Sequence, residues 1–419
     1  MVKKNLTLSF FSALAKIIGG IGLISILARA FSLADFGNFT YALTLGTVFG
    51  LIVDYGFNIK IIKDVSSNEV NVNKVVSKTI GSKFLLLLLS IILFITTTVL
   101  LKNTNELSLS GLFLFLSLVV FSFTNTFLSV FKGRKEYIKD LKVVIVDNLV
   151  TVIIVSIIAF ITNDILYTSI SFFFSKLIAL VYSFCIYKRE NEFVFPKYYD
   201  IIQDLKQALP YGVHYWVGSL YLNIDTIIMK PLVSEEDLGI YQSGIRIIIG
   251  LGILLTIINS VYLPLLNEYL NKNRNLFLKN ILKLNTNVFR LSILSIVGMI
   301  TFSKLIIIVL FGSKFLELQE IFWIIALIVG IRIIGSSYGI LLTISDKQRL
   351  RAIAGALSIF IIIISDIILI PKYGYIAAAY VLLFAHVFIT TFYVFSVYKE
   401  YKSLFIPSLK DFFNFKKSI

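Results

Sequence analysis

The chain has 419 residues, of which 58% are hydrophobic and 15% charged, with a formal net charge of +15. Water-soluble domains carry about 25% charged residues, so an ordinary soluble domain is excluded. A single cysteine, Cys185, excludes an intramolecular disulfide, and two histidines, His214 and His386, leave too few soft ligands for a structural zinc site.

Apolar runs bounded by charged or turn residues predict twelve membrane spans, at 9–31, 38–59, 81–101, 109–131, 143–162, 165–187, 208–231, 240–264, 288–311, 321–344, 352–370 and 374–398. Each approaches the ~20 residues that a helix needs to cross ~30 Å of hydrocarbon. No small-residue cleavage site follows the first run, and further spans come directly after it. It therefore reads as a permanent helix rather than a signal peptide.

The basic residues fix an orientation. Twenty-eight Lys and Arg fall in the N-terminal segment, in alternate connections (60–83, 132–142, 188–206, 272–283, 347–351) and in the tail after 398. The opposite connections hold four: Lys102, Lys230, Lys314 and Lys372. The positive-inside rule places both termini in the cytoplasm. Because the cations are scattered between apolar runs, the membrane and not nucleic acid accounts for the charge.

Two stretches repeat in outline. FSLADFGNFTYAL (31–43) and LVSEEDLGIYQSG (232–244) share an Asp (35, 237), a Gly (37, 239) and an aromatic (Phe39, Tyr241). Their equivalent outer positions predict a parallel repeat about an axis along the membrane normal. A plainer reading has each glycine ending a helix. The expected organisation is a six-helix bundle over 1–190, a cytoplasmic linker at 191–207, a second six-helix bundle over 208–398 and a basic tail at 399–419.

Ionisable residues inside spans cost roughly 2.5–3.5 kcal/mol each at the bilayer centre, so each needs a reason. Arg29, Arg290 and Lys304 lie near span ends and can snorkel. Arg332 lies mid-span, and at helical spacing it shares a face with Ser336, Gly339 and Thr343. His214, Gly218, Tyr221 and Asp225 form a similar stripe, as do Thr47, Gly50, Asp54 and Asn58. Lys176 aligns with Ser169 and Ser183, and Lys16 with Ser9, Ser12 and Gly20. Helix packing explains glycine and serine on such faces. It does not explain a mid-membrane cation.

The alternative is a hydrated cavity in which Arg332, Lys176, Lys16 and Arg246 attract an anion while Tyr221 and Ser336 offer hydrogen bonds to a polar ligand. Asp54, Asp147, Asp225 and Asp366 serve either as salt-bridge partners of these cations or as sites for a coupling proton or sodium ion. Asp225 is the first choice for either role, and His214, titrating near neutrality, suits a proton-linked step. GSSYG (335–339) matches a nucleophile elbow, but it lies inside a continuous apolar run where that motif's strand is missing. No P-loop sequence is present.

Four stretches, ILARAFSLADFGNFTYAL (26–43), LIVDYGFN (51–58), LNIDTIIMKPLVSEEDLGIYQSGIRI (222–247) and ILIPKYGYIAAAY (368–380), together resemble the signatures of polysaccharide-unit flippases. These are the Wzx-type (O-antigen) members of the multidrug/oligosaccharidyl-lipid/polysaccharide (MOP) exporter superfamily. Phe31 and Ser32 stand where that family usually has a glycine, as does Ala377. The resemblance implies an all-α polytopic fold and a transporter, not an enzyme. Its cargo would be a polyprenyl-diphosphate-linked oligosaccharide, flipped to the outer leaflet of a bacterial cytoplasmic (inner) membrane by alternating access. It also implies a monomer working beside a polysaccharide polymerase and a chain-length regulator, with no cofactor beyond a coupling ion. A cation-coupled multidrug exporter on the same architecture is the alternative. A polysaccharide polymerase, which would display a long outer loop, is a third.

Overall fold

The computed structural model describes residues 2–66, 71–101, 104–192 and 196–398. The expected basic tail, 399–419, lies outside them. Among the described residues every regular element is helical. In chain order these are α1 (Val2–Ala30), α2 (Leu33–Asp54), α3 (Phe57–Ser66), α4 (Val72–Leu100), α5 (Asn105–Gly133), α6 (Tyr137–Thr162), α7 (Ile165–Lys188) and α8 (Tyr198–Leu220). They continue with α9 (Ile224–Met229), α10 (Glu235–Gly250), α11 (Gly252–Lys272), α12 (Arg274–Thr301), α13 (Ser303–Leu310), a 3-10 turn (Ser313–Leu318), α14 (Gln319–Ile344) and α15 (Gln348–Tyr398).

Ten stretches among the described residues are long and apolar enough to cross a membrane. Two features separate this number from the twelve expected. The run at 208–231 is divided between α8 and α9, and α8 starts ten residues earlier, at Tyr198, so that Asp200, Asp204 and Lys206 dilute its apolar character. The expected spans 352–370 and 374–398 both lie within the 51 residues of α15. Its backbone leaves the helical region at Gly374 (φ 61°, ψ −150°), just after Pro371. Proline lacks the N–H that continues the helical ladder, and glycine tolerates positive φ at no steric cost. The break therefore falls at the predicted boundary.

Side-chain caps set several helix starts. The Ser32 hydroxyl accepts from the Asp35 N–H at 3.0 Å, Asp164 from Tyr167 at 3.0 Å and Asn273 from Leu276 at 3.0 Å. Each such cap contributes about 0.5–2 kcal/mol. In the second copy of the repeat, Ser234 accepts from the Asp237 N–H at 3.1 Å. The repeated signature is thus a capped helix start. Gly37 and Gly239 lie inside α2 and α10 rather than in a turn, which corrects the helix-ending reading of these glycines.

Their role is close approach. A Cβ on Gly37 would overlap the Glu235 carbonyl oxygen and stand 2.9 Å from the Gly239 nitrogen, and one on Gly239 would stand 2.5 Å from the Leu33 carbonyl. The two copies of the signature cross each other, glycine against glycine. Lys230 bridges the same crossing, donating to Asn38 at 2.5 Å and to Glu235 at 2.8 Å.

The chain forms two compact units, Met1–Gly239 and Ile240–Ile419. In the first, α5 packs on α2, α3 and α7, while α6 joins α7 to α1 and α8 runs along α2, α3 and α4. Phe94 joins this core, 5.6 Å from Phe49 and stacked on Phe115 at 5.3 Å. In the second unit α14 is central, against α11, α12 and α15. Glycines again bring helices together: α14 at Gly330 meets Ile296, and the Ser292 hydroxyl reaches the Gly330 carbonyl at 3.0 Å. Small residues at helix contacts are the usual device where lipid leaves no hydrophobic drive for association.

Candidate functional site

In the first unit the intramembrane cations are compensated or caged. Lys176 on α7 donates to Asp147 on α6 at 2.8 Å, and its ammonium lies 5.1 Å and 5.5 Å from the ring centres of Phe121 and Phe172. Lys16 on α1 lies over the same Phe121 ring at 5.8 Å. Nearby, Asp140 accepts from Ser12 at 2.7 Å and pairs with Lys132 at 3.6 Å. Removing one member of a buried ion pair costs about 3–5 kcal/mol, because the other is left uncompensated. Lys176→Met is expected to destabilise the protein by about that amount, and Lys176→Met with Asp147→Leu to recover most of the loss. Thermal unfolding of the single and double variants in detergent measures both.

Asp54 finds a partner that the sequence did not offer. Lys83 on α4 lies 3.6 Å from Asp54 and donates to the Ser122 carbonyl and hydroxyl at 2.6 Å and 2.8 Å. Ser122 in turn donates to Asp54 at 2.7 Å, and Asn58 contacts both carboxylate oxygens at 3.0 Å. Lys83 is wholly buried. By sequence it falls among the cytoplasmic-side cations, because it precedes the apolar run that begins at Phe84. The signal lay in spacing: Thr79, Ser82, Lys83, Leu86 and Ser90 fall on one buried stripe of α4.

Asp225 is wholly buried at the start of α9, where it accepts from the Thr226 N–H at 2.8 Å. Tyr221 follows the last turn of α8 and is partly buried. His214 falls within α8, and its side chain lies outside the described residues.

In the second unit, Arg332 on α14 donates to the Ile248 carbonyl of α10 at 3.1 Å. It is the charged residue of a small, partly open hollow with room for about one water molecule, whose other walls are Ile248, Leu251, Gly252, Leu255, Val329 and Ile333. Ser336, one turn further, donates to the Ile333 carbonyl at 2.6 Å. Thr343 donates back to Gly339 at 2.9 Å and accepts from Arg351 at 2.8 Å. Both hydroxyl protons of the predicted stripe are therefore used within the protein.

Arg246, two residues before Ile248 on α10, differs. Its Nε and one terminal nitrogen are buried with no hydrogen-bond partner. A buried donor left unmatched costs about 1–3 kcal/mol, and more when charged. Such a guanidinium fits an anion.

At the end of α7, Lys139 contacts Glu190 at 2.6 Å and holds its carboxyl below the usual range. That carboxyl is exposed, so the pair matters little for stability.

A helical, multi-pass membrane protein with charged and polar residues buried inside its bundles is the class that fold and site define. The sequence profile of the family described as "Polysaccharide biosynthesis protein" matches residues 2–270, and the chain belongs to this family. Its fold resembles a solved lipid II flippase, MurJ, in an inward closed conformation. The TM-score is 0.74 at 18% identity, over 96% of this chain and 90% of that one. It also resembles a multidrug resistance MATE family transporter of the MOP superfamily, inward-facing (TM-score 0.65, 11% identity, 96% of this chain and 95% of that one). For an outward-facing MATE transporter of the same superfamily the TM-score is 0.63 at 12% identity, over 96% of both chains. No curated protein matches the chain by sequence.

Proposed function

We propose that this protein flips a polyprenyl-diphosphate-linked oligosaccharide repeat unit from the cytoplasmic to the outer leaflet by alternating access, for surface polysaccharide assembly. The reading takes the fold as twelve spans in two six-helix halves related by a parallel pseudo-two-fold. Both termini are cytoplasmic, in the inner membrane of a bacterium. Membership of a polysaccharide biosynthesis family and likeness to a lipid II flippase support it.

The observation that carries it is Arg246, whose buried Nε and one buried terminal nitrogen lack an acceptor. A guanidinium presents a planar fork of donors that matches phosphate oxygens in pairs. In this account Arg246 and Arg332 hold the diphosphate, while Lys16 and Lys176 supply positive charge in the first half. Tyr221 hydrogen-bonds sugars, and the Ser336 oxygen keeps a lone pair for them. Asp225, Asp54 and His214 handle a coupling proton or sodium ion, and no other cofactor takes part. A polysaccharide polymerase and a chain-length regulator act after the monomeric flippase.

Deletion of the gene tests the cargo. Mass spectrometry of membrane lipids is expected to show polyprenyl-diphosphate saccharides accumulating while surface polysaccharide disappears. Normal lipid pools with increased drug sensitivity would instead favour a cation-coupled multidrug exporter. Buried Asp225 and Asp54, carboxylates that a coupled exporter would use, are the observation on that side.

A further inference from the structure

We propose that Asp204 is the centre of a latch that holds the cytoplasmic half of α8 against α3 and α4, and that this latch opens and closes in every transport cycle. The inference rests on the transport reading above, and adds to it a moving part.

Asp204 is wholly buried although it belongs to a stretch that reads as a solvated connection. Four donors converge on it: Lys60 at 2.8 Å, Ser82 at 3.2 Å, Thr79 at 3.3 Å and Lys78 at 3.7 Å. Lys60 is shared with Asp64 at 2.9 Å, and Lys74 meets Asp200, one turn before Asp204, at 3.3 Å. Three ammonium groups and three carboxylates balance.

A buried charge cluster can be permanent or releasable, and its access to water separates the two cases. The Asp54–Lys83 pair has side chains 8% and 0% exposed, so parting it would strand charges in a dry interior. In the latch the central pair, Lys60 and Asp204, is 4% and 0% exposed, but the cluster opens outward through Lys78 (20%), Asp64 (27%) and Lys74 (65%). Charges parted there have water one side chain away.

The helix is also built to bend beside the latch. Pro210 stands inside α8 and leaves the Lys206 carbonyl without its helical N–H partner. Gly212 follows, set against the Tyr55 carbonyl, with its would-be Cβ 3.1 Å away. Beyond the proline, Trp216 donates to the Leu51 carbonyl at 2.7 Å and ties the next part of α8 to α2 separately. The segment 198–209 can thus release while 211–220 stays docked.

The test uses full-length protein with Cys185→Ser, so that introduced cysteines are the only thiols. Asp204→Cys with Ser82→Cys, oxidised to a disulfide, locks the latch. Transport of a fluorescent polyprenyl-diphosphate saccharide in proteoliposomes is expected to fall at least tenfold and to return on reduction. Separately, Ser82→Cys alone is expected to react slowly with a membrane-impermeant thiol reagent, and at least tenfold faster with Asp204→Asn added. Transport by the oxidised protein at the reduced rate, or no labelling of Cys-substituted position 82 in active protein, would overturn the latch. If Cys185→Ser protein with Asp204 and Ser82 intact moves no saccharide lipid, the transport reading fails instead, and the labelling arm still decides whether the latch opens.

Discussion

Gly37→Leu is expected to remove transport and to lower the amount of folded protein in the membrane. The physical reason is the crossing of the two signature copies, where even a methyl group on residue 37 meets the Glu235 carbonyl and the Gly239 nitrogen. Both are backbone atoms, so no rotamer change relieves the contact. Overpacking costs about 1–3 kcal/mol where side chains can adjust, and a backbone neighbour makes the upper end the expectation for Gly37→Ala. The same crossing predicts non-additivity. Once Gly37→Ala has forced the helices apart, Gly239→Ala adds less than it does alone, by about 0.5 kcal/mol or more. Thermal unfolding of the two single variants and the double variant measures the difference, and strictly additive losses would contradict a shared contact.

The second large effect separates stability from function. Arg246→Ala removes a guanidinium two of whose nitrogens are buried with no acceptor, so folding stability is expected to stay level or to rise. Transport is expected to collapse. Hydrogen bonds to charged groups contribute about 1.5–3 kcal/mol each, which corresponds to a roughly 10- to 150-fold loss in binding for one such bond. Arg332→Ala is expected to abolish surface polysaccharide as well, with a different stability signature. Its side chain holds the Ile248 carbonyl, so a modest loss of about 1–3 kcal/mol should accompany the functional defect. A variant of Arg246 that unfolds at lower temperature yet transports normally would mark that residue as structural.

Much of the fold was legible in the sequence because hydrocarbon imposes a strong constraint on composition. The apolar runs mark most of the helices, and Pro371 with Gly374 marks the break inside α15. The repeat was visible as spacing, but its meaning was not. Only coordinates show Gly37 and Gly239 facing each other across 202 positions of sequence. The same limit hid Lys83 and Asp204, whose partners come from distant segments; Lys60 is 144 residues from Asp204.

Averaging over a hydropathy window also assigns a charge beside an apolar run to a loop, although α4 begins eleven residues before Lys83. The polar stripes show a further ambiguity. Serine and threonine hydroxyls that bond back to carbonyls three or four residues earlier look, in sequence, like hydroxyls free for sugar. Ser336 and Thr343 do bond back in this way. Arg246 stood out in the sequence only as a cation within a span, and its missing acceptors became apparent in three dimensions.

The most direct measurement is flipping by purified protein in liposomes, comparing a fluorescent saccharide lipid with a diphosphate link against the same saccharide on a neutral lipid. Wild-type protein should move the diphosphate lipid at least tenfold faster, and Arg246→Ala should reduce that rate to the level of the neutral lipid. Equal rates for the two lipids, or an Arg246→Ala protein as fast as wild type, would contradict the assignment of the buried guanidinium to the diphosphate.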